Sequence, residues 1–235
     1  MRVEVPAIEL PKSSGVTATD RVFDALYDAV ISVKLPPGTK VSEYELAKQL
    51  DVSRQPVRDA FFRLSSLGFL AIRPQRPTLI TQISLRAIHD AVFTRTALEA
   101  ECLRVALVVD KPRLIKDMQE SIAAHKRAAS GDAAGFHAID EAFHELICKV
   151  SGHDHVWPLI RQQKAHLDRL RYLSLSEERR KYVIADHTKI LDAIVDGTAA
   201  KAEQLLRGHI TAVKDTLPAM MDLYPEYFEI TSTRD

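Results

Sequence analysis

From Val22 to Ile31 the apolar residues Val22, Phe23, Leu26, Tyr27, Val30 and Ile31 recur at threes and fours, the spacing of one helix face. Thr19 is placed to cap this helix, and Leu35-Pro36-Pro37-Gly38 to end it, because prolines and glycine favour a turn. A second, short helix is expected from Glu43 to Leu50, capped by Ser42, with Tyr44, Leu46, Ala47 and Leu50 available for packing. Ser53 caps a third helix, whose inner face is Val57, Ala60, Phe61 and Leu64 and whose stop is Gly68. Pro56 is tolerated there because first-turn amides have no partner within the helix. Phe69 to Ile72 and Thr78 to Thr81 then read as strands joined by the tight basic turn Arg73-Pro74-Gln75-Arg76-Pro77. Helix, helix, turn, helix, hairpin is the order of a winged helix-turn-helix.

From Ser84 onward the period is helical throughout. It breaks at Asp110-Lys111-Pro112, at Ser130-Gly131-Asp132, at Ser151-Gly152-His153, near Ser174 to Glu177, and at Asp196-Gly197-Thr198. These breaks delimit about six helices, so the fold class expected is mainly α: a winged helix-turn-helix followed by an all-α bundle. The organisation expected is a flexible arm over 1–16, a winged helix-turn-helix domain over 17–82, a helical domain over 84–223, and a loosely ordered tail over 224–235.

Composition agrees with this picture and excludes others. In 235 residues, 46% hydrophobic and 27% charged residues are the balance of a soluble globular protein. No apolar run approaches the roughly 18 residues needed to span a bilayer, and Met1 to Gly15 lacks a signal-peptide core, so no membrane partner and a cytoplasmic location are expected. Cys102 and Cys148 lie in helical patterns without metal-type spacing and read as small buried apolar residues. The formal net charge is zero, but Arg54, Arg58, Arg63, Arg73 and Arg76 stand against Asp59 alone over 54–76. A local basic patch matters more for phosphate contact than the whole-chain sum.

The segment from Leu35 to Glu43, then Glu45-Leu46-Ala47, then Asp51 to Ala60 closely resembles the GntR superfamily of transcription regulators. The remainder resembles the helical ligand-sensing (FCD) domain of the FadR-like branch in its metal-containing form. The resemblance implies that Ser53 to Leu67 is a recognition helix and Phe69 to Ile80 a wing. The residues support the same reading directly, since Arg54 and Arg58, four apart, project from one face at the start of a helix suited to the major groove. Arginine bonds guanine bidentately or clamps a phosphate. Gln55 belongs to the same first turn, Ser53 and Lys40 suit backbone contacts, and Gln75 and Arg76 form a wing tip. Many relatives carry glycine where Pro77 stands, and some a basic residue at Tyr44.

The bundle holds a second constellation. Asp140 and His144 share the stripe of Phe136, Ile139, Phe143, Ile147 and Val150, while His187 shares a face with Ile190, Leu191 and Ile194, and His209 with Ala202, Leu205, Leu206 and Val213. Unpaired polar groups are costly in a core, and one divalent cation satisfies all four; taken singly, each histidine reads better as a core imidazole bonded to a carbonyl. The resemblance implies the metal, with zinc first and nickel or manganese alternatives. His137, one turn before Asp140, is a substitute ligand; His89, His125, His153, His155 and His166 read as structural or exposed. Arg95 lies on the apolar stripe of Ile88, Val92, Leu98 and Cys102. It is either the partner of Glu99 or, as the resemblance implies, a clamp for an anionic effector.

The function expected is a ligand-responsive repressor that binds palindromic operator DNA as a homodimer and is released by a small organic acid completing the metal's coordination. Two alternatives stand beside it: a metal-dependent hydrolase with a nucleic-acid-binding domain, for which no general base is evident, and a regulator sensing a fatty acyl thioester without a functional metal.

Overall fold

The computed structural model describes residues 6–10, 17–73 and 75–229. Most of the expected arm, the end of the expected tail and Pro74 of the wing turn lie outside the described residues. The chain divides into two compact units, one formed by residues up to Leu85 together with those from Met221 onward, the other by Arg86–Met220.

In the first unit, α1 spans Ala18–Ile31, β1 Lys40–Val41, α2 Glu43–Gln49, α3 Arg54–Ser66, β2 Leu70–Ala71 and β3 Thr78–Ile80. The cap of α1 is Thr17 rather than the expected Thr19: its hydroxyl accepts from the Asp20 amide, and Thr19 is already helical. Gly68 stops α3 at φ +81°, a region that only a residue without Cβ enters readily, and this lets the Phe69 amide donate back to the Leu64 carbonyl at 2.9 Å. The strands form an antiparallel sheet in the order β1-β3-β2, with Lys40 opposite Leu79 and Leu70 opposite Ile80. β1 was not expected, because two residues are too few to show an alternating period. The core is Val22, Leu26, Val30, Leu46, Val57, Phe61, Leu64 and Phe69. Burying each such side chain contributes about 1.5–3 kcal/mol.

The segment expected to be a loose tail is held in this unit. A 3-10 turn at Pro225–Tyr227 leads to Phe228, which is buried and bridges in parallel to Ile83. The Ile83 amide donates to the Tyr227 carbonyl and the Glu229 amide to the Ile83 carbonyl. A single aromatic anchor in a polar stretch gives no periodic signal.

The second unit is wholly helical: α4 Leu85–Val109, α5 Lys111–Ala128, α6 Ala133–Val150, α7 Val156–Gln163, α8 Ala165–Ser174, α9 Glu177–Val195, α10 Ala199–Thr211, a 3-10 turn Ala212–Thr216, and α11 Leu217–Leu223. The five expected breaks are present. Asp110, Asp132, Ser176 and Thr198 accept first-turn amides at the starts of α5, α6, α9 and α10. Eight helices rather than six arise because the interruptions at Lys164 and after Thr211 contain neither glycine nor a side-chain cap. α6 packs on α5, and α9 on α5 and α10, around Leu103, Met118, Phe136, Phe143, Ile147, Ile190 and Leu206. Cys102 and Cys148 are buried free thiols, as their helical setting implied. No helix among the described residues is long and apolar enough to cross a membrane.

Candidate functional site

The first unit carries the residues expected to meet DNA. Lys40, Ser53, Arg54, Gln55, Arg58, Gln75 and Arg76 are all exposed. Ser53 makes no capping bond with its own helix. Arg54 and Arg58 reach the same Glu43 oxygen at 3.5 and 3.3 Å, with 60% and 58% of their side chains exposed. Such exposed pairs contribute about 0–1 kcal/mol, so Glu43 holds the two guanidinium groups only weakly. Gln55 donates to Asp59 at 2.8 Å. At the wing tip Gln75 takes φ +57°, and the Arg76 amide donates to the Arg73 carbonyl. Arg63 leaves the expected basic patch: it pairs with Asp20 at 2.9 Å and lies over the Phe23 ring, tying α3 to α1.

In the second unit Asp140 and His144 on α6, His187 on α9 and His209 on α10 bring four potential ligand atoms within 4.8 Å of one another. His187 Nε2 lies 3.1 Å from His209 Nε2, which lies 3.3 Å from His144 Nε2. Nitrogens sharing a zinc at about 2.0–2.1 Å are about 3.0–3.4 Å apart. His144 Nδ1 lies 2.6 Å from Glu99 and donates to it, which leaves its Nε2 lone pair facing the other imidazoles. Asp140 Oδ1 is buried without a hydrogen-bond partner and 3.6 Å from His187 Nε2. Burial, then the neighbouring His209, drives the His187 imidazole well below its usual range, and burial likewise lowers His209. Neutral imidazoles with convergent lone pairs and an orphaned carboxylate oxygen form a donor set that fits a divalent cation.

An ionic shell surrounds these four residues. Glu99 accepts from Arg95 Nε at 2.7 Å as well as from His144, so the arginine that lies on an apolar stripe has its carboxylate partner and also lines a cavity beside the imidazoles. Burial opposes ionisation of Glu99, but Arg95 and His144 overcome it and hold the carboxyl at about 2. Arg171 on α8 pairs with Asp140 and Glu141, and Lys164 with Glu141 and Asp168. Burial works against the charged form of Asp140 as well; Arg171 and the imidazoles outweigh it and keep the carboxyl well below the usual carboxylate range. His137 stands 4.0 Å from Glu141 and 3.9 Å from Asp168, in a group of its own outside the four-residue cluster. His125 is structural: its Nδ1 donates to the Ser121 carbonyl and its ring meets that of His187 edge-on.

A family model described as "Bacterial regulatory proteins, gntR family" matches residues 18–80, and one described as "FCD domain" matches residues 90–212. The chain is 30% identical over 220 residues, covering 93% of each sequence, to an uncharacterized HTH-type transcriptional regulator of Streptomyces ambofaciens. This chain belongs to the GntR family. It is 26% identical to the HTH-type transcriptional repressor RspR of Escherichia coli K12, over 88% of this chain and 92% of RspR. A solved structure of E. coli McbR/YncC superposes with a TM-score of 0.71 at 20% identity, covering 89% of this chain and 99% of the other, a likeness of fold.

This GntR regulator therefore carries an FCD bundle whose sequence-predicted Asp140, His144, His187 and His209 meet in one place, with Arg95 at its edge. Sequence reasoning missed Arg171, and saw Glu99 only as a partner for Arg95 rather than as the bridge to His144. It also missed Asp186, whose carboxylate lies 3.7 Å from His209 Nδ1. The i, i+4 spacing of Arg95 and Glu99 was legible, and Asp186 immediately precedes His187. Arg171 sits in an irregular charged stretch with no periodic signal.

Proposed function

We propose that this GntR-family regulator is a repressor that grips a palindromic operator as a homodimer, with Arg54, Gln55 and Arg58 reading bases and Lys40, Ser53, Gln75 and Arg76 holding the backbone. Binding of a small organic acid in the cavity of the FCD bundle releases it. The observation that carries the sensing half is that Asp140 and His209, two members of the four-residue cluster, line one cavity with Arg95. Asp140, His144, His187 and His209 are the residues that would hold a divalent ion, zinc foremost, and such an ion supplies positive charge and open positions for an anion.

The charge balance of the ion-paired shell supports the acid. Arg95, Arg171 and Lys164 face Glu99, Asp140, Glu141 and Asp168, one carboxylate in excess. With a divalent ion in place the excess becomes one positive charge, which a single carboxylate cancels. Each of those four carboxylates is already engaged by a cation, which favours a sensor over a hydrolase, since none stands free as a general base. An effector acts on DNA affinity only through its preference for one helix arrangement over another.

Metal analysis of dialysed protein is expected to find about one equivalent per chain, and a His187→Ala, His209→Ala double variant to lose it. Operator binding followed by fluorescence anisotropy is expected to weaken when a bound carboxylate is added to metal-loaded protein. Metal-free protein whose thermal unfolding is unchanged by added zinc, nickel or manganese refutes the metal assignment. Carboxylates that bind without altering operator affinity refute the release mechanism.

A further inference from the structure

Two guanidinium groups line the cavity beside the imidazole cluster with donors that the protein itself does not use. Arg95 is only 3% exposed, and its Nη2 is buried without a hydrogen-bond partner although its Nε donates to Glu99. Arg179, in the first turn of α9, lines the same cavity, is half-buried, and has no carboxylate partner for its side chain among the described residues. Arg171, also in the lining, differs because Asp140 and Glu141 already engage it.

Burial separates these two donors, Arg95 being 3% exposed and Arg179 part exposed, into an inner and an outer station. The space that water centres can occupy in the cavity is about 30 Å³, room for about two water molecules, so only a small ligand suits it. Arg95 belongs to the buried end and Arg179, part exposed, to the solvent side. Phe136, Leu175, Val183 and Val213 supply apolar wall for a short hydrocarbon linker. One carboxylate cancels the surplus charge of the inner network once a divalent ion is counted; the charge of Arg179 lies outside that balance and is open to a second anionic group.

We infer that the effector carries two carboxylates on a short chain, one end taken by Arg95 beside the imidazole cluster and the other by Arg179 at the cavity mouth. This rests on the acid-sensing reading above and narrows its ligand class to short dicarboxylates. Arg179 then sets specificity, whereas Arg95 secures the end that every acid shares.

The test is calorimetry on full-length, zinc-loaded protein at fixed ionic strength, with propionate and butyrate against succinate and glutarate. The dicarboxylates are expected to bind at least about tenfold more tightly, the scale of one added charge-assisted contact. Arg179→Gln, at a part-exposed position with no partner to orphan, is expected to erase that advantage while leaving monocarboxylate affinity and thermal unfolding unchanged. Dicarboxylates binding wild-type protein no better than monocarboxylates, or keeping their advantage in Arg179→Gln, overturn the inference and leave acid sensing intact. Binding of neither class overturns both.

Discussion

The two units each set arginines against a glutamate and obtain opposite results. Arg54 and Arg58 are more than half exposed and lean on Glu43 at 3.3–3.5 Å, whereas Arg95 is sealed in the bundle with Glu99 at 2.7 Å. In the first case water screens the pair and each partner is nearly as well off alone. In the second each ion depends on the other, because neither recovers its hydration when the partner is lost. A DNA surface needs charges that are released cheaply to phosphate. A sensing core needs charges whose arrangement is costly to disturb, so that a new anion is registered.

Removing the acid from each pair is the strongest way to break this comparison. Glu99→Ala leaves Arg95 uncompensated and His144 without its orienting acceptor, so urea unfolding is expected to show a loss of about 3–5 kcal/mol, and metal affinity to fall about 10–100-fold in the folded fraction. A loss no larger than that of an exposed pair erases the distinction. Next in size, Arg54→Ala and Arg58→Ala are each expected to weaken operator binding by about 1–3 kcal/mol with unfolding unchanged, as read by anisotropy at fixed salt. Unchanged affinity in both single variants removes the base-reading assignment. Smallest is Glu43→Gln, expected to shift stability by no more than about 0.5 kcal/mol while modestly tightening binding to nonspecific duplex, because a carboxylate facing phosphate is gone. Weaker nonspecific binding in that variant shows instead that Glu43 is needed to aim the arginines.

The parts of this molecule that were legible in the sequence are those where one residue type has one physical use. Prolines, Gly68 and the capping Asp, Ser and Thr residues marked most helix ends, and imidazoles on apolar faces marked the core of the site. What escaped reading depends on partners far apart in the chain. Arg171 meets Asp140 across 31 positions and Glu99 meets His144 across 45, and neither pairing leaves a local pattern. Arg63 was misread for the same reason, since its acceptor Asp20 lies 43 positions away. β1 and the Phe228 anchor were too short to carry a period.

The bridge between Ile83 and Phe228 has a topological consequence. The chain leaves the first unit just after Ile83 and comes back to the same bridge at Phe228, so the helical bundle is an insertion rather than an appendage. An appendage is lost when its one connection is cut. An insertion is tied at both ends, so a single cut in either connection leaves its chain joined to the first unit through the other.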